Sequence, residues 1–292
     1  MHSLRVVYNR PVNKDESDEV IRGWRESAQY WEKNSEIIHR MLAPITIAMM
    51  EDAGISNGLS VLDVAGGAGE PSLTMARAVD AGGRVVCTDI APEMVDIAAR
   101  AASRRGLTNL DFGLCAAESL PFRDGSFDRV ICRLGAMFFA NPRAGLREML
   151  RVLRVGGTVT LAVWRAPDFN PFFRVVTQVM SRHLDSPPED PIVPGAFRFA
   201  GQGEMAGLLA EAGAKQVRER ILDFRMEAAL RHEDFWTLRS EMSDTLRSKI
   251  TLLTPEQLAR VKEEILEATL PYCSGGAMSF PSQVFVVTGE RS

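Results

Sequence analysis

Residues 60–70, with the sequence SVLDVAGGAGE, restrict the fold of this 292-residue chain more than any other segment. An apolar run typical of a short buried strand breaks into three glycines, and a helical pattern of apolar residues begins after Pro71. A strand, a glycine turn and a helix are the unit with which an open parallel sheet brings a ligand against its backbone. Glycine suits such a turn because a side chain would block the approach and because positive φ is often required. We therefore predict a ligand site at the end of this strand.

The residues around the turn discriminate between two kinds of ligand. A dinucleotide site follows the pattern G-x-G-x-x-G and offers bare amides to a pyrophosphate. Residues 67–72, GAGEPS, lack the third glycine and place Glu70 and Pro71, which has no N–H, in the turn. Glu70 would repel a phosphate, whereas Glu70 and Asp63, just before the turn, favour a ligand that carries positive charge. A structural turn in another kind of α/β protein is the alternative.

A second strand, residues 84–90, ends in another acid, Asp89. An acid at this point can accept hydrogen bonds from both hydroxyls of a ribose. Ile90, beside it, can pack on the face of an adenine. The two strand ends together predict a nucleoside ligand with a cationic group.

Five segments, taken in order, resemble a known family: residues 61–69 (VLDVAGGAG), 88–94 (TDIAPEM), 117–122 (AESLPF), 126–128 (SFD) and 151–157 (RVLRVGG). They are similar to the class I S-adenosylmethionine-dependent methyltransferases, and most of all to the branch of the ubiquinone/menaquinone-biosynthesis C-methyltransferases. The close resemblance covers residues 55–165. It implies an α/β, Rossmann-like fold with a seven-stranded, mostly parallel sheet flanked by helices, an antiparallel last strand, an N-terminal helical lid and helical insertions.

The resemblance divides the chain into six segments. These are a helical lid segment (1–54), the cofactor-binding core (55–165), an insertion (166–200), a continuation of the core (201–226), a helical cap insertion (227–280) and the last strand of the core (281–292). Apolar residues at helical spacing before the core, such as Trp24 and Trp31, suit either a docking face or a lid. The next helical segment, 37–53, is predicted to break at Pro44. The cap is predicted to hold two helices, one beginning with the capping sequence TPEQ at 254–257.

The resemblance also implies S-adenosyl-L-methionine as cofactor, S-adenosyl-L-homocysteine as product, and no metal. The turn would hold the methionine portion, Asp89 the ribose and Ile90 the adenine. The cofactor-binding residues expected in this way, with two aromatic residues of the lid, are Asp63, Ala65, Gly67, Gly69, Asp89, Ile90, Met94, Ala117, Glu118, Arg133, Leu134, Tyr30 and Trp31. Ala65 stands where many relatives have glycine, and Ala116 stands where many have an aspartate that binds the adenine amino group.

Composition argues against several classes of partner. The chain has 34 Lys and Arg against 38 Asp and Glu, a net charge of −4, so it lacks the basic footprint of a nucleic-acid-binding protein. Its four cysteines are scattered without the spacing of a zinc site or a disulfide framework. No apolar run approaches the ~20 residues that span a bilayer. We expect a cytoplasmic protein, a monomer or homodimer, that acts on a small molecule.

The insertions are rich in aromatic residues and methionine, which favours an aromatic or apolar acceptor such as a quinol, a phenol or a polyketide-like molecule, methylated at oxygen or carbon. The sequence does not identify a general base, and the candidates are His183, His232, Asp168 and Tyr272. Two alternatives stay open. The fold also hosts enzymes that use this cofactor or a derivative without methyl transfer, for aminopropyl transfer or cyclisation, and it can serve as a cofactor-binding regulatory domain.

Overall fold

A nine-stranded sheet forms the centre of the protein in the computed structural model, which describes residues 6–8, 15–184 and 193–292. The strand order is β1-β4-β3-β2-β5-β6-β9-β7, and β8 pairs with β9. The strands are β1 (Val6–Tyr8), β2 (Ser60–Val64), β3 (Arg84–Asp89), β4 (Leu110–Leu114), β5 (Phe127–Arg133), β6 (Leu153–Trp164), β7 (Lys215–Ala228), β8 (Cys273–Ser274) and β9 (Ala277–Glu290).

The sheet confirms the predicted Rossmann-like fold. Strands β1 to β6 pair in parallel, and β9 runs antiparallel to both β6 and β7. The seven expected strands are β2 to β7 and β9, and the short strands β1 and β8 add to them. The parallel strands β2 and β3 are buried along most of their length, in agreement with the apolar residues at their centres.

Ten α-helices surround the sheet in the described ranges. They are α1 (Asp15–Lys33), α2 (Ser35–Ala53), α3 (Ser72–Ala78), α4 (Pro92–Arg104), α5 (Pro142–Val152), α6 (Pro171–His183), α7 (Glu204–Glu211), α8 (Phe235–Met242), α9 (Asp244–Ile250) and α10 (Pro255–Thr269). The cap therefore holds three helices, α8 to α10, where the sequence predicted two. The predicted capping box at the start of α10 is confirmed, because Thr254 and Gln257 exchange side-chain to backbone hydrogen bonds.

Helix α2 runs unbroken through Pro44, so the predicted interruption there is wrong. Proline removes one backbone hydrogen bond from a helix. The buried face of α2, which includes Met41, Ile45 and Met49, packs into the main core and compensates for that loss. As a result α2 forms one continuous wall beside the sheet.

Helix α1 lies against α4. Ala28 packs with Met94 and Ile97 in a small buried cluster, and ion pairs such as Arg100–Glu32, 2.8 Å, bridge the two helices at the surface. This packing places the aromatic side chains of α1 over the carboxyl ends of the parallel strands, the edge at which this kind of sheet binds ligands.

Candidate cofactor site

The glycine turn is closely packed at Gly66 and Gly69, whereas Gly67 faces open space. Beyond the end of β2, Ala65, Gly67 and Gly69 all have positive φ, of 56°, 56° and 112°. A methyl group on Gly66 would lie 2.6 Å from the Cys87 Sγ, and one on Gly69 would lie 2.9 Å from a methyl carbon of Leu73. Glycine is therefore required at 66 by contact and at 69 by both contact and φ. Ala65, although it has a side chain, adopts the left-handed conformation that glycine adopts more easily.

Asp63 lies beneath this turn and is completely buried. Its Oδ2 accepts a hydrogen bond of 2.6 Å from the Ser72 hydroxyl, at the start of α3. Its Oδ1 is buried without a hydrogen-bond partner among the described residues. Burial raises the pKa of Asp63 to about 7, although Ser72 and the positive charge of Arg133 oppose the shift. Asp63 thus joins the turn to α3 and supplies a titratable group below the site.

Asp89 stands at the end of β3 with its carboxylate facing the turn. One oxygen accepts the N–H of Gly67 and the other accepts the N–H of Ala91, each at 2.9 Å. Burial raises its pKa above the ordinary value, and these backbone hydrogen bonds oppose the shift. The carboxylate is therefore held rigidly at the strand end, and each oxygen keeps a lone pair for a further donor.

A cavity of about 320 Å³ opens above the turn and the strand ends. Its volume falls within the usual range for small-molecule sites. The outer wall contains Trp24, Trp31 and Phe138, whose rings meet edge to face, with Trp24 centred 5.7 Å from Trp31 and 5.1 Å from Phe138. The indole N–H of Trp31 is buried without a hydrogen-bond partner in the described structure. Helix α1 thus covers the cavity with aromatic surface.

Charged side chains gather at one end of the cavity, around Glu70. The carboxylate of Glu70 lies 2.7 Å from Arg105 Nη1 and 3.2 Å from His39 Nδ1, and it also accepts hydrogen bonds from Thr74. Arg133 donates to the backbone carbonyl of Glu70 and to the Thr46 hydroxyl, both at 2.8 Å. Burial lowers the pKa of Arg133 from its ordinary value. This end of the cavity offers donors and an acceptor to a zwitterionic group.

Ten of the thirteen residues expected to bind the cofactor line this cavity. They are Ala65, Gly67, Asp89, Ile90, Met94, Ala117, Glu118, Arg133, Leu134 and Trp31. The other three lie outside its lining. Asp63 is covered by the turn, Gly69 packs against α3 and α4, and Tyr30 lies under the guanidinium of Arg247, 4.9 Å away. Leu134 has a φ of 59°, an uncommon conformation for a bulky residue and one associated with functional sites.

Sequence reasoning missed several lining residues, most notably His39, Trp24 and Phe138. The aromatic spacing of α1 was the signal for Trp24. His39 had no such signal, because it reaches the cavity only through the packing of α2 beside Glu70. Glu118, in turn, lines the cavity while one of its oxygens accepts the N–H of Asn141.

The four candidates for a general base, all within the described part of the chain, lie away from the lining of the cavity. His183 pairs with Glu264 at 2.8 Å, and His232 contacts the Leu266 carbonyl at 2.7 Å. Tyr272 stacks on Phe280, with ring centroids 4.5 Å apart, and Asp168 lies exposed in a short turn. Each candidate either makes a structural contact or is exposed to solvent, and none of the four lines the cavity.

No group of three or more His, Cys, Asp or Glu side chains in the described part of the chain is arranged to hold a metal ion. None of the helices in the described ranges has the length and apolar character needed to cross a membrane.

The fold, and the position of the cavity at the ends of the parallel strands, are typical of the class I Rossmann-like methyltransferases, which bind S-adenosylmethionine there. Solved structures share this fold. The YcgJ protein of Bacillus subtilis is 22% identical, with a TM-score of 0.54 over 84% of this chain and 97% of that one. A Haemonchus contortus phosphoethanolamine N-methyltransferase, solved with S-adenosylhomocysteine, is 13% identical, with a TM-score of 0.55 over 93% of this chain and 60% of that one.

Residues 32–229 match the ubiE/COQ5 methyltransferase family, and the chain belongs to this family of S-adenosylmethionine-dependent methyltransferases. A ubiquinone/menaquinone biosynthesis C-methyltransferase of Pseudomonas putida is 30% identical over 73% of both chains. The corresponding enzyme of Stenotrophomonas maltophilia is 40% identical over 58% of this chain and 71% of its own. An uncharacterised protein of Mycobacterium tuberculosis is 28% identical over 86% of this chain and 88% of its own. The resemblance found in the sequence is confirmed.

Proposed function

We propose that this enzyme methylates a small aromatic or apolar acceptor at oxygen or carbon, with the cavity between α1 and the strand ends as the reaction site. The observation that carries the proposal is one continuous cavity. Its lining includes Asp89 and Ile90, suited to a nucleoside, the charged pair Glu70 and Arg133, and, in its outer wall, the tryptophans of α1. A quinol, a phenol or a polyketide-like molecule has the apolar surface that this wall favours.

The residues present fit S-adenosylmethionine, which supplies an activated methyl group when bound. Asp89 would accept from the ribose hydroxyls with the lone pairs that Gly67 and Ala91 leave unused. Glu70 and Arg133 would bind the ammonium and carboxylate of the methionine portion. Glu118 would accept from the adenine amino group in place of the aspartate absent at 116. The aromatic rings of α1 suit a sulfonium cation.

The contribution of the protein to the reaction is mainly alignment and exclusion of water. Holding two reactants in attack geometry can lower a barrier by roughly 7–11 kcal/mol. Removing a proton from the acceptor adds ~10²–10⁴-fold. We assign that step to His39, which lines the cavity and whose ring lies beside the Glu70 carboxylate. His39 Nδ1 is buried 3.2 Å from a Glu70 oxygen but makes no hydrogen bond to it. A small rotation of the ring would form that bond and leave Nε2 to accept the proton.

Calorimetry and a methyl-transfer screen test the proposal together. We expect the protein to bind both S-adenosylmethionine and S-adenosylhomocysteine, and Asp89→Asn to bind each about 10- to 100-fold more weakly. Asp96→Asn, an exposed change on α4, is the matched control. Unchanged affinity in Asp89→Asn, with an unchanged melting temperature, would show that the nucleoside lies elsewhere.

Radiolabelled methyl transfer to a panel of phenols, quinols and enolic carbon acids then tests the chemistry. We expect transfer to an acceptor of this kind, and His39→Asn should lose most turnover while its affinity for S-adenosylhomocysteine stays within about twofold. Cofactor binding without transfer to any acceptor of the panel would favour cyclisation, aminopropyl transfer or a regulatory role. A large loss of cofactor affinity in His39→Asn would instead make His39 a ligand of the methionine portion.

A further inference from the structure

A buried arginine in the cap has no anionic partner in the described part of the chain. Arg239 on α8 is only 6% exposed, and its Nε is fully buried without a hydrogen-bond partner. No acidic side chain pairs with it within residues 6–8, 15–184 and 193–292. Its guanidinium instead lies over two aromatic rings, 4.7 Å from the centre of Phe172 and 5.1 Å from that of Phe173.

These contacts do not compensate for the desolvation of the Arg239 guanidinium. Transferring a charge from water to a protein interior costs far more than contacts with two ring faces return. Arg133, a partly buried arginine that lines the cavity, shows the usual solution, because it donates two hydrogen bonds of 2.8 Å. Burial lowers the pKa of Arg239 to about 10, so the group stays cationic at neutral pH despite this cost. A buried cation of this kind suits an anion that arrives from outside the chain.

The surroundings of Arg239 connect it to the reaction site. Phe173 packs against Trp164, with ring centroids 4.9 Å apart, and Trp164 ends β6. The same strand accepts the backbone N–H of Leu134, which lines the cavity, at Ala162. Helix α8 also packs on α1, the helix that covers the cavity with Trp24. Arg239 is thus linked to the cavity wall through Phe173, Trp164 and β6, although neither Arg239 nor these two rings belong to the lining.

We propose that Arg239 binds the carboxylate of the acceptor, and that the acceptor is consequently an aryl carboxylic acid. The planar guanidinium can donate two parallel hydrogen bonds to a carboxylate, and the neighbouring rings provide contact for an aromatic body. That the anion belongs to the acceptor rests on the proposed function. The binding of an aryl carboxylate at Arg239 does not.

A pair of probes of equal shape tests the binding. Calorimetric titration of the full chain, saturated with S-adenosylhomocysteine, compares 2-naphthoate with the neutral 2-naphthamide. We expect the carboxylate to bind about 10- to 100-fold more tightly, and Arg239→Gln to abolish that preference. Arg231→Gln, which removes an exposed arginine paired with Asp234, should keep it. An absent preference in the wild type, or a preference retained in Arg239→Gln, overturns the proposal.

The melting temperature without ligand gives an independent readout. Replacing an unpaired buried cation with an apolar residue of similar length removes its desolvation cost, so Arg239→Met should melt at or above the wild-type temperature. A clear fall would show that Arg239 is a structural part of the aromatic cap and would overturn the proposal. Failure of the proposed function is separate, since it would show as absent binding of S-adenosylhomocysteine whatever the naphthoate result.

Discussion

The buried carboxyl group beneath the glycine turn makes the stability of this protein depend on pH in a predictable direction. Asp63 has a pKa of about 7 in the folded protein and 3.8 as its ordinary value, which we take for the unfolded chain. Between these values the folded protein holds a proton that the unfolded chain has released. Raising the pH therefore favours unfolding, and the loss is complete once the pH passes the folded pKa.

The magnitude follows from the same two values. One bound proton corresponds to about 1.4 kcal/mol of unfolding free energy per pH unit. From pH 5 to pH 8 the contribution of Asp63 should fall by about 3 kcal/mol, with most of the change below pH 7. Other titrating groups add their own dependence, so the informative quantity is the difference between the wild type and Asp63→Asn, which cannot ionise at this position.

Urea unfolding of both proteins at pH 5, 6, 7 and 8 measures that difference. We expect the wild type to lose stability relative to Asp63→Asn over this range, by about 3 kcal/mol in total. Asp96→Asn, exposed on α4, should show no such trend. A difference that stays constant within error from pH 5 to pH 8 would refute the reasoning, because it would mean that Asp63 is ionised in the folded protein throughout.

Three further changes test the turn and the cap by urea unfolding. Ala65→Gly should raise the unfolding free energy by up to about 1 kcal/mol, because φ of 56° strains an L-residue, and a clear loss would contradict this. Gly69→Ala should lower it by roughly 1–3 kcal/mol and weaken cofactor binding, because the methyl group meets Leu73 at 2.9 Å, and wild-type behaviour would argue against the packing. Thr254→Ala should cost about 1 kcal/mol through loss of the bond to the Gln257 N–H, whereas no cost would mean that the cap is replaced by water.

The fold followed from local patterns because each strand and turn of the core carries its own signal. The glycine turn after β2 and the acid at the end of β3 are short-range features, and in a parallel sheet they meet at one edge whatever the rest of the chain does. The predicted break of α2 at Pro44 was wrong because long-range packing outweighed a local signal. A proline is a local signal for a break, but the buried face of α2 depends on contacts with strands far away in the sequence.

Most of the candidate cofactor site that could be predicted lies at the strand ends, and the aromatic spacing of α1 added Trp31. Asp89 ends β3, Ile90 follows it, and Glu118 lies in the loop after β4, and all three line the cavity. The place of His39 at the cavity could not be predicted, because it depends on how α2 docks beside the turn. The role of Asp63 also required the structure, since the sequence shows an acid before a turn without showing that Gly66 covers it.

The position of β9 in the sheet has a consequence for how the chain folds as it is made. This strand, residues 277–290, lies between β6 and β7, both of which precede it in the chain. Until β9 emerges, β6 and β7 each present an edge without a partner strand. Sheet closure must therefore wait for a late segment, and such non-local pairing is slow and exposes strand edges to other chains. We expect a nascent chain that ends before residue 277 to depend on protection from aggregation.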